Sequence, residues 1–247
     1  MTEISIVIPV KDEAGNAGPL TREIAEVMGK LAQNASNKWS SYEIIFVDDG
    51  SSDATSTELL TLRDELPMIR ILVHALSFGQ SRAVRSGVQA AKGDIIVTLD
   101  GDGQNDPADI PKLLEPFANA PSTLGMIAGE RANRQDKWSK RAASRAANRI
   151  RCWALDDKAK DTGCGLKAFR RDAFLELPFF DHMHRYLITL LQREGYEVRF
   201  VPVGHRPRNA GASKYGNWDR FVVGISDLLG VIWLKRRLPR PTEIKEI

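Results

Sequence analysis

Two aspartates one residue apart, Asp100 and Asp102, with an amide two places on at Gln104, close the apolar run Ile95-Ile96-Val97-Thr98-Leu99. Two carboxylates and an amide make a hard-oxygen set, suited to Mg²⁺ or Mn²⁺ carrying a phosphorylated substrate. The plainer account of an isolated Asp-x-Asp is a polar turn after a core strand. Two more apolar runs end in acids: Ile4 to Val10 leads into Lys11-Asp12-Glu13, and Ile44 to Val47 leads into Asp48-Asp49-Gly50. Turn chemistry and helix capping compete as explanations for the Asp48 pair, but three acidic strand ends together would build a negative bowl.

The runs that carry these acids read as buried parallel strands, which puts the carboxylates at C-terminal strand ends, where open α/β sheets keep their ligands. Helical patterns separate them. Asn16 stands as N-cap of a helix to about Leu31, with Leu20, Ile24, Val27 and Leu31 on one face. Ser52 or Asp53 can cap the next helix; Ile69–Val73 is a strand, and Gly79–Ala91 a helix of small residues. This alternation predicts an α/β fold, a mostly parallel sheet with helices on both faces. Farther on come a helix from Asp109 to Phe117 and a strand from Gly125 to Gly129 ending at Glu130-Arg131. A glycine-punctuated turn, Asp161 to Gly165, leads into another strand; an amphipathic helix from His182 to Glu194 and a strand from Val198 to Val203 follow. No GxGxxG follows the first strand and no GxxxxGK[ST] occurs, which argues against dinucleotide and P-loop chemistry.

The 247 residues are 43% hydrophobic and 27% charged, the balance of a soluble globular protein. Two cysteines without CxxC spacing suggest reduced thiols, and a strand pattern directly after Met1-Thr2-Glu3 suggests no signal peptide, so a cytoplasmic protein is expected. The net charge of +3 is unevenly placed: residues 1–130 hold 10 Lys+Arg against 19 Asp+Glu, and residues 131–247 hold 25 against 13. The basic half calls for an anionic partner: nucleic acid, a membrane surface or a phosphorylated substrate. Nucleic acid would not explain the acidic bowl.

Lys137, Arg141, Arg145 and Arg149 fall four apart beside an apolar stripe with Trp138 and Trp153, which suits anionic lipid head groups as well as a solvated helix face. Residues 206–215 form a loop rich in glycine, alanine and cations, of the sort that folds over a phosphorylated substrate. From Asn217 to Lys235 a helix carries Phe221, Val222, Ile225, Leu228, Leu229, Ile232 and Trp233, interrupted by Gly224, Asp227 and Gly230 and followed by Arg236-Arg237. It is too short and polar to span comfortably but fits a helix lying in a membrane interface. Packing against a partner subunit competes, which leaves a homodimer open. The expected division is a domain over 1–215, then this helix and tail over 216–247.

Taken in order and spacing, these stretches resemble the inverting family-2 glycosyltransferases of GT-A fold, and among them the polyprenyl-phosphate sugar synthases of the dolichol-phosphate mannose synthase type. The resemblance runs from Ile4 to about Arg237. Pro9-Val10-Lys11-Asp12-Glu13 resembles the family's first-strand nucleotide motif, with Lys11 where tyrosine is usual and Asp12 where asparagine is. Val47-Asp48-Asp49 resembles its base and ribose motif, with Asp49 the expected contact. Asp100-Gly101-Asp102-Gly103-Gln104 resembles its metal motif, which implies Asp100, Asp102 and Gln104 as ligands and little consequence from glycine at 101. The resemblance further implies donor contacts from Pro9, Val10, Lys11, Glu13, Val47 and Gly101. Gly129-Glu130-Arg131 resembles the family's Gly-Ser-Arg, whose arginine meets phosphate; Asp161 to Gly165 resembles the turn beside the donor sugar. Arg208, Ser213 and Lys214 match the acceptor-phosphate loop.

The implied reaction moves a sugar from a nucleotide diphosphate sugar (GDP-mannose or a UDP-sugar) to a polyprenyl monophosphate at the cytoplasmic face of a membrane. A phosphate nucleophile is already anionic, so no protein base is required. The implied catalytic set is Asp102, Arg131, Arg208 and Lys214. A saccharide or protein acceptor is the alternative; it would need a carboxylate base, for which Asp161 is the candidate.

Overall fold

The computed structural model describes residues 3–34, 38–131, 151–152, 154–157, 159, 161–207 and 217–237, with side chains in the last helix from Gly224 onward. Its centre is a seven-stranded sheet: β1 (Ile4–Val10), β2 (Tyr42–Asp48), β3 (Ile69–Val73), β4 (Ile95–Thr98), β5 (Leu124–Arg131), β6 (Lys167–Arg170) and β7 (Glu197–Val203). The spatial order is β3-β2-β1-β4-β6-β5-β7. All pairings are parallel except those of β6, which runs antiparallel to β4 and β5. The chain lays β1, β2 and β3 outward in one direction, then returns to set β4 on the other side of β1. That reversal opens a crevice above the C-terminal ends of β1 and β4, where an open parallel sheet has room for a ligand.

β1, β2 and β4 are runs of branched apolar residues because both of their faces are covered. One face packs against α1 (Ala17–Gln33), α2 (Thr55–Glu65) and α4 (Ile110–Leu114), with Ile6, Ile8, Phe46 and Val97 in a common cluster with Ile24, Leu59 and Leu113. The other packs against α3 (Gln80–Ala90), α5 (Arg171–Leu175), α6 (Leu187–Arg193) and α7 (Asn217–Arg236). On α7, Val231 is buried in that second cluster, while Ile225, Leu229 and Trp233 face outward. The helix is tied down by Tyr186 Oη donating to the Gly224 carbonyl (3.4 Å) and Arg193 Nε to the Leu234 carbonyl (3.1 Å). No helix among the described residues is long and apolar enough to cross a membrane.

Several elements differ from the sequence expectation for local reasons. Asn16 occupies the N-cap position of α1, but its side chain donates to Glu13 instead of capping. Glu58 of α2 accepts from the amides of Gly15 and Gly18 (2.7 and 2.8 Å), so the opening of α1 is closed from a neighbouring helix. The residue preceding α2 is Ala54, with Asp53 accepting from the Thr55 amide and hydroxyl. The expected helix over 109–117 is instead the end of a 3₁₀ turn (Pro107–Asp109), the short α4 with Pro111 in its first turn, and a second 3₁₀ turn (Glu115–Ala118) with Pro116 in its first turn. The expected amphipathic helix over 182–194 is a 3₁₀ turn (Met183–Arg185) and then α6, whose Leu187 to Leu191 are all buried. With these residues and Arg193 buried, little of α6 is left to face water.

α3 approaches the sheet closely because Gly87 faces Val7 and Val47; a methyl there would run into Val7 Cγ1 and lie 3.1 Å from Val47 Cγ2. Gly87→Ala should therefore destabilise by roughly 1–3 kcal/mol despite its better helix propensity, read as a lower urea midpoint with unchanged slope.

Candidate active site

The three acidic strand ends have different fates. Beyond β1, Asp12 turns through a left-handed backbone (φ +50°) and accepts from the Ser52 amide and hydroxyl (2.7 and 3.0 Å); its own amide and that of Glu13 donate to Ser51 Oγ and Thr55 Oγ1. Asp48 accepts from the Ser51 amide (2.8 Å) and the Ser56 hydroxyl. Asp49 accepts four hydrogen bonds: His74 Nδ1 (2.7 Å) and the Phe78 amide (2.9 Å) on one oxygen, Ser77 Oγ and the Gly79 amide (both 2.8 Å) on the other. Burial raises its carboxyl, but these four donors outweigh burial and hold it below the usual carboxylate range. Expected as a base or ribose contact, Asp49 here organises the 74–79 loop, with His74 steadied in turn by Ser86 Oγ at 2.9 Å. Val47 is fully buried in the core and Val10 nearly so, which leaves no side chain of either for a donor; Lys11 is exposed at the rim.

The third strand end faces the crevice. The Asp100 amide donates to Asn105 Oδ1 (3.0 Å), and Asp102 accepts from the Gln104 amide (3.1 Å), so the loop closes on itself and holds both carboxylates at its mouth. Gln80, the first residue of α3, donates Nε2 to Asp100 Oδ1 at 2.8 Å. Gly165 is required because its backbone lies flat against the Asp100 carboxylate, in space a methyl would fill. Gly101 is less neutral than the resemblance implied. A Cβ there would stand 2.6 Å from Val10 Cγ1, so glycine at 101 and valine at 10 are a matched pair.

Arg131, at the end of β5, grips Asp161 with two bonds, Nε to Oδ2 (2.6 Å) and Nη2 to Oδ1 (2.7 Å), both groups largely buried. Lys167, opening β6 opposite Thr98 of β4, donates Nζ to the Cys164 carbonyl. Burial lowers the ammonium pKa of Lys167, with Cys164 and Asp100 pulling it partly back. Burial and then the Asp102 charge raise Asp100, with Lys167 and Gln80 opposing. His184 shares its Nδ1 with Ser81 Oγ (2.7 Å); burial, reinforced by Arg185, lowers its pKa to about 3, so the ring is neutral in a pocket it still partly lines. These groups bound a cavity of about 330 Å³ between Asp100, the 162–165 turn, Lys167 and the 184–187 segment. That is small-ligand size, typically about 300–1,000 Å³.

Gln80, Lys167, His184 and Arg185 were missed from sequence. Lys167 opens a strand and Gln80 a helix, and nothing local distinguishes them; both matter because β6 and α3 converge on β4. Of the expected phosphate ligands, Arg131 is paired with Asp161, while Arg208, Ser213 and Lys214, like the basic stripe 137–149, lie outside the described residues. The described start of their loop is anchored, however. The Arg206 amide donates to the Gln104 carbonyl (2.9 Å) and its guanidinium to Asp106 (2.8 Å) and Glu23 (2.6 Å), so the loop leaves from beside the Asp102 turn.

The chemistry of the donor set fits a divalent cation. Asp100 and Asp102 are close enough for one to raise the other's pKa, and the nearest buried cation, Lys167, is itself weakened by burial. Among the described residues no cluster of three His, Cys, Asp or Glu side chains could hold a metal, so such an ion would draw on Gln104, water and ligand oxygens for the rest of its shell.

A family model described as "Glycosyl transferase family 2" matches residues 5–177, a span from β1 past the 161–165 turn. The chain belongs to that family. The glycosyltransferase is 34% identical over 244 residues to a dodecaprenyl-phosphate galacturonate synthase of Rhizobium johnstonii, covering 97% of this chain and 69% of the relative. It is 33% identical over 218 residues to an undecaprenyl-phosphate 4-deoxy-4-formamido-L-arabinose transferase of Aeromonas hydrophila, covering 86% of this chain but 63% of that one. The chain thus spans less than two thirds of the length of the second relative. Among solved structures, glucosyl-3-phosphoglycerate synthase of Mycobacterium tuberculosis with Mn²⁺, UDP and phosphoglyceric acid superposes with a TM-score of 0.67 at 16% identity, covering 97% of this chain and 80% of that one. A mannosyltransferase of Pyrobaculum calidifontis with GDP-Man and Mn²⁺ gives 0.63 at 18%, covering 97% and 66%. At such identities the likeness establishes a shared fold.

The neutral His184 ring has a consequence for stability. Folded, it protonates near pH 3; unfolded, near 6.5. Between those values the unfolded chain binds the extra proton, so stability is full above about 6.5 and falls as pH drops toward 3, by at most about 1.4 kcal/mol per pH unit. Urea unfolding at about pH 7 and about pH 5 should show the loss, and His184→Asn, which keeps a nitrogen for Ser81, should reduce it.

Proposed function

We propose that this glycosyltransferase moves a sugar from a nucleotide diphosphate sugar to a polyprenyl monophosphate, inverting the anomeric carbon. The observation that carries the reading is the two-bonded pairing of Asp161 with Arg131. Asp161 is the carboxylate that a saccharide or protein acceptor would need as base, and both its oxygens are committed. An acceptor that is itself an anion needs none. The names of two relatives, each a transferase or synthase of a polyprenyl-phosphate sugar, support the same acceptor class.

In this reading an oxygen of the lipid phosphate attacks the anomeric carbon in line. The bond from that carbon to the donor diphosphate breaks, and nucleoside diphosphate leaves with the electron pair. Mg²⁺ or Mn²⁺ held by Asp100, Asp102 and Gln104 would supply charge neutralisation at the leaving diphosphate. Arg131, fixed by Asp161, presents a preoriented guanidinium edge to phosphate. Arg208, Ser213 and Lys214, on the loop anchored at Gln104 through Arg206, bind the acceptor phosphate and exclude water, since donor hydrolysis competes. The outward stripe of α7, Ile225, Leu229 and Trp233, with Arg236 and Arg237 at its end, sets the chain on the cytoplasmic face of the membrane.

The test is transfer to undecaprenyl phosphate in detergent with Mg²⁺ or Mn²⁺ and a panel of nucleotide sugars. Metal-dependent lipid product from one donor is expected; donor binding without lipid product would overturn the acceptor assignment. Asp102→Ala should abolish transfer, and substantial metal-dependent activity in that variant would remove Asp102 from the metal site. Asp161→Asn should raise the donor KM through Arg131 and leave the shape of the kcat–pH profile intact. A loss of about 100-fold or more in kcat, with disappearance of an acidic limb, would instead mark Asp161 as a general base.

A further inference from the structure

The cavity behind Asp100 has an unbalanced charge, and the imbalance bears on which sugar enters it. Its wall includes Asp100 but neither Asp102 nor Gln104. In the transferase reading above, on which this step rests, the donor diphosphate meets the cation at the mouth formed by Asp100, Asp102 and Gln104, and the sugar extends from there into the cavity behind Asp100. Three cations line the space: Arg151, Lys167 and Arg185. Arg151 is matched by the fully buried Asp157 and also donates Nη2 to the Ala159 carbonyl at 2.7 Å. Lys167 is held by the Cys164 carbonyl and faces the Asp100 charge. The Arg185 guanidinium makes no hydrogen bond or ion pair with any of the described residues, although the residue is half-buried.

His184 beside it is neutral and occupied with Ser81, so it neither competes for an anion nor supplies one. When a ligand fills the cavity and displaces water, an unmatched guanidinium is costly unless the ligand brings an acceptor. A neutral sugar offers hydroxyls only. A planar carboxylate offers two oxygens at the spacing of the guanidinium fork.

We propose that Arg185 recognises a carboxylate on the transferred sugar, so that the donor is a nucleotide-linked uronate, a sugar carrying a carboxyl group in place of its terminal hydroxymethyl. The competing source of negative charge is the donor's own diphosphate, and the two are separable by binding.

The experiment is calorimetric titration of the full chain with Mn²⁺ present, independent of any lipid acceptor. UDP-glucuronate and UDP-galacturonate are compared with UDP-glucose and UDP-galactose, GDP-mannuronate with GDP-mannose, and each set with the bare nucleoside diphosphate. In the base series that binds, a uronate should bind about tenfold or more tighter than its parent hexose. Arg185→Gln should bring the uronate to the level of the hexose while leaving the bare nucleoside diphosphate unchanged. Arg185→Lys, which keeps the charge, should retain part of the preference, and an unfolding midpoint matched to wild type establishes that each variant folds. Equal binding of uronate and hexose by the wild type overturns the proposal. So does an Arg185→Gln variant that weakens hexose, uronate and bare diphosphate alike, which would make Arg185 a phosphate contact. A uronate preference without transfer to lipid phosphate would sink only the acceptor assignment; transfer from hexose donors without that preference would sink only the role of Arg185. Failure of both nucleotide series to bind would sink both.

Discussion

A half-buried carboxylate is held at the end of β4, and most of the site follows from what is needed to keep it there. Asp100 meets the side-chain amide of Gln80 from the start of α3, while its own amide is fixed by Asn105. The backbone of Gly165 lies against it, and the charge of Lys167 stands close by. These groups come from three separate segments: the start of α3, the 100–105 loop and the 165–167 stretch. Burying an unmatched carboxylate is expensive, so each segment that approaches must bring a donor, a positive charge or no side chain at all. Glycine at 165, lysine at 167 and glutamine at 80 are answers to one electrostatic problem.

The remaining charges near the crevice are arranged as pairs with separate duties. Asp49 spends both oxygens on the 74–79 loop, Asp157 holds Arg151, and Asp161 holds Arg131. Pairing of this kind orients a cation and removes its carboxylate from other chemistry. In the crevice it leaves Asp49, Asp157 and Asp161 with their oxygens committed to internal partners. Arg185, which lines the cavity, has no such partner among the described residues.

α7 links this chemistry to a surface. Val231 anchors it in the cluster that also contains α3 and α6, and the same helix turns Ile225, Leu229 and Trp233 away from the protein. The helix is therefore part of the structural core on one side and, among the described residues, an exposed apolar stripe on the other.

The strands were legible in sequence because a strand covered on both faces must be continuously apolar, and β1, β2 and β4 are. The acidic strand ends and the glycine turn at 161–165 were legible for a related reason: a polar, tightly turning stretch directly after such a run stands out. Prolines at 111 and 116 mark, within the expected 109–117 helix, where α4 and the second 3₁₀ turn begin. What tertiary structure alone decided is which acids are free to act. Asp48, Asp49 and Asp100 look alike as acids after an apolar run, yet internal amides, hydroxyls and the His74 imidazole occupy the first two, while Asp100 lines the cavity described above. The difference depends on partners far away in sequence. Ser77 and Gly79 reach Asp49 across about thirty residues, and Gly165 reaches Asp100 across about sixty-five, brought together by the return of the chain past β1 and the antiparallel insertion of β6. Residue type and spacing determined what chemistry was available; the order of strands in the sheet determined which of those residues could perform it.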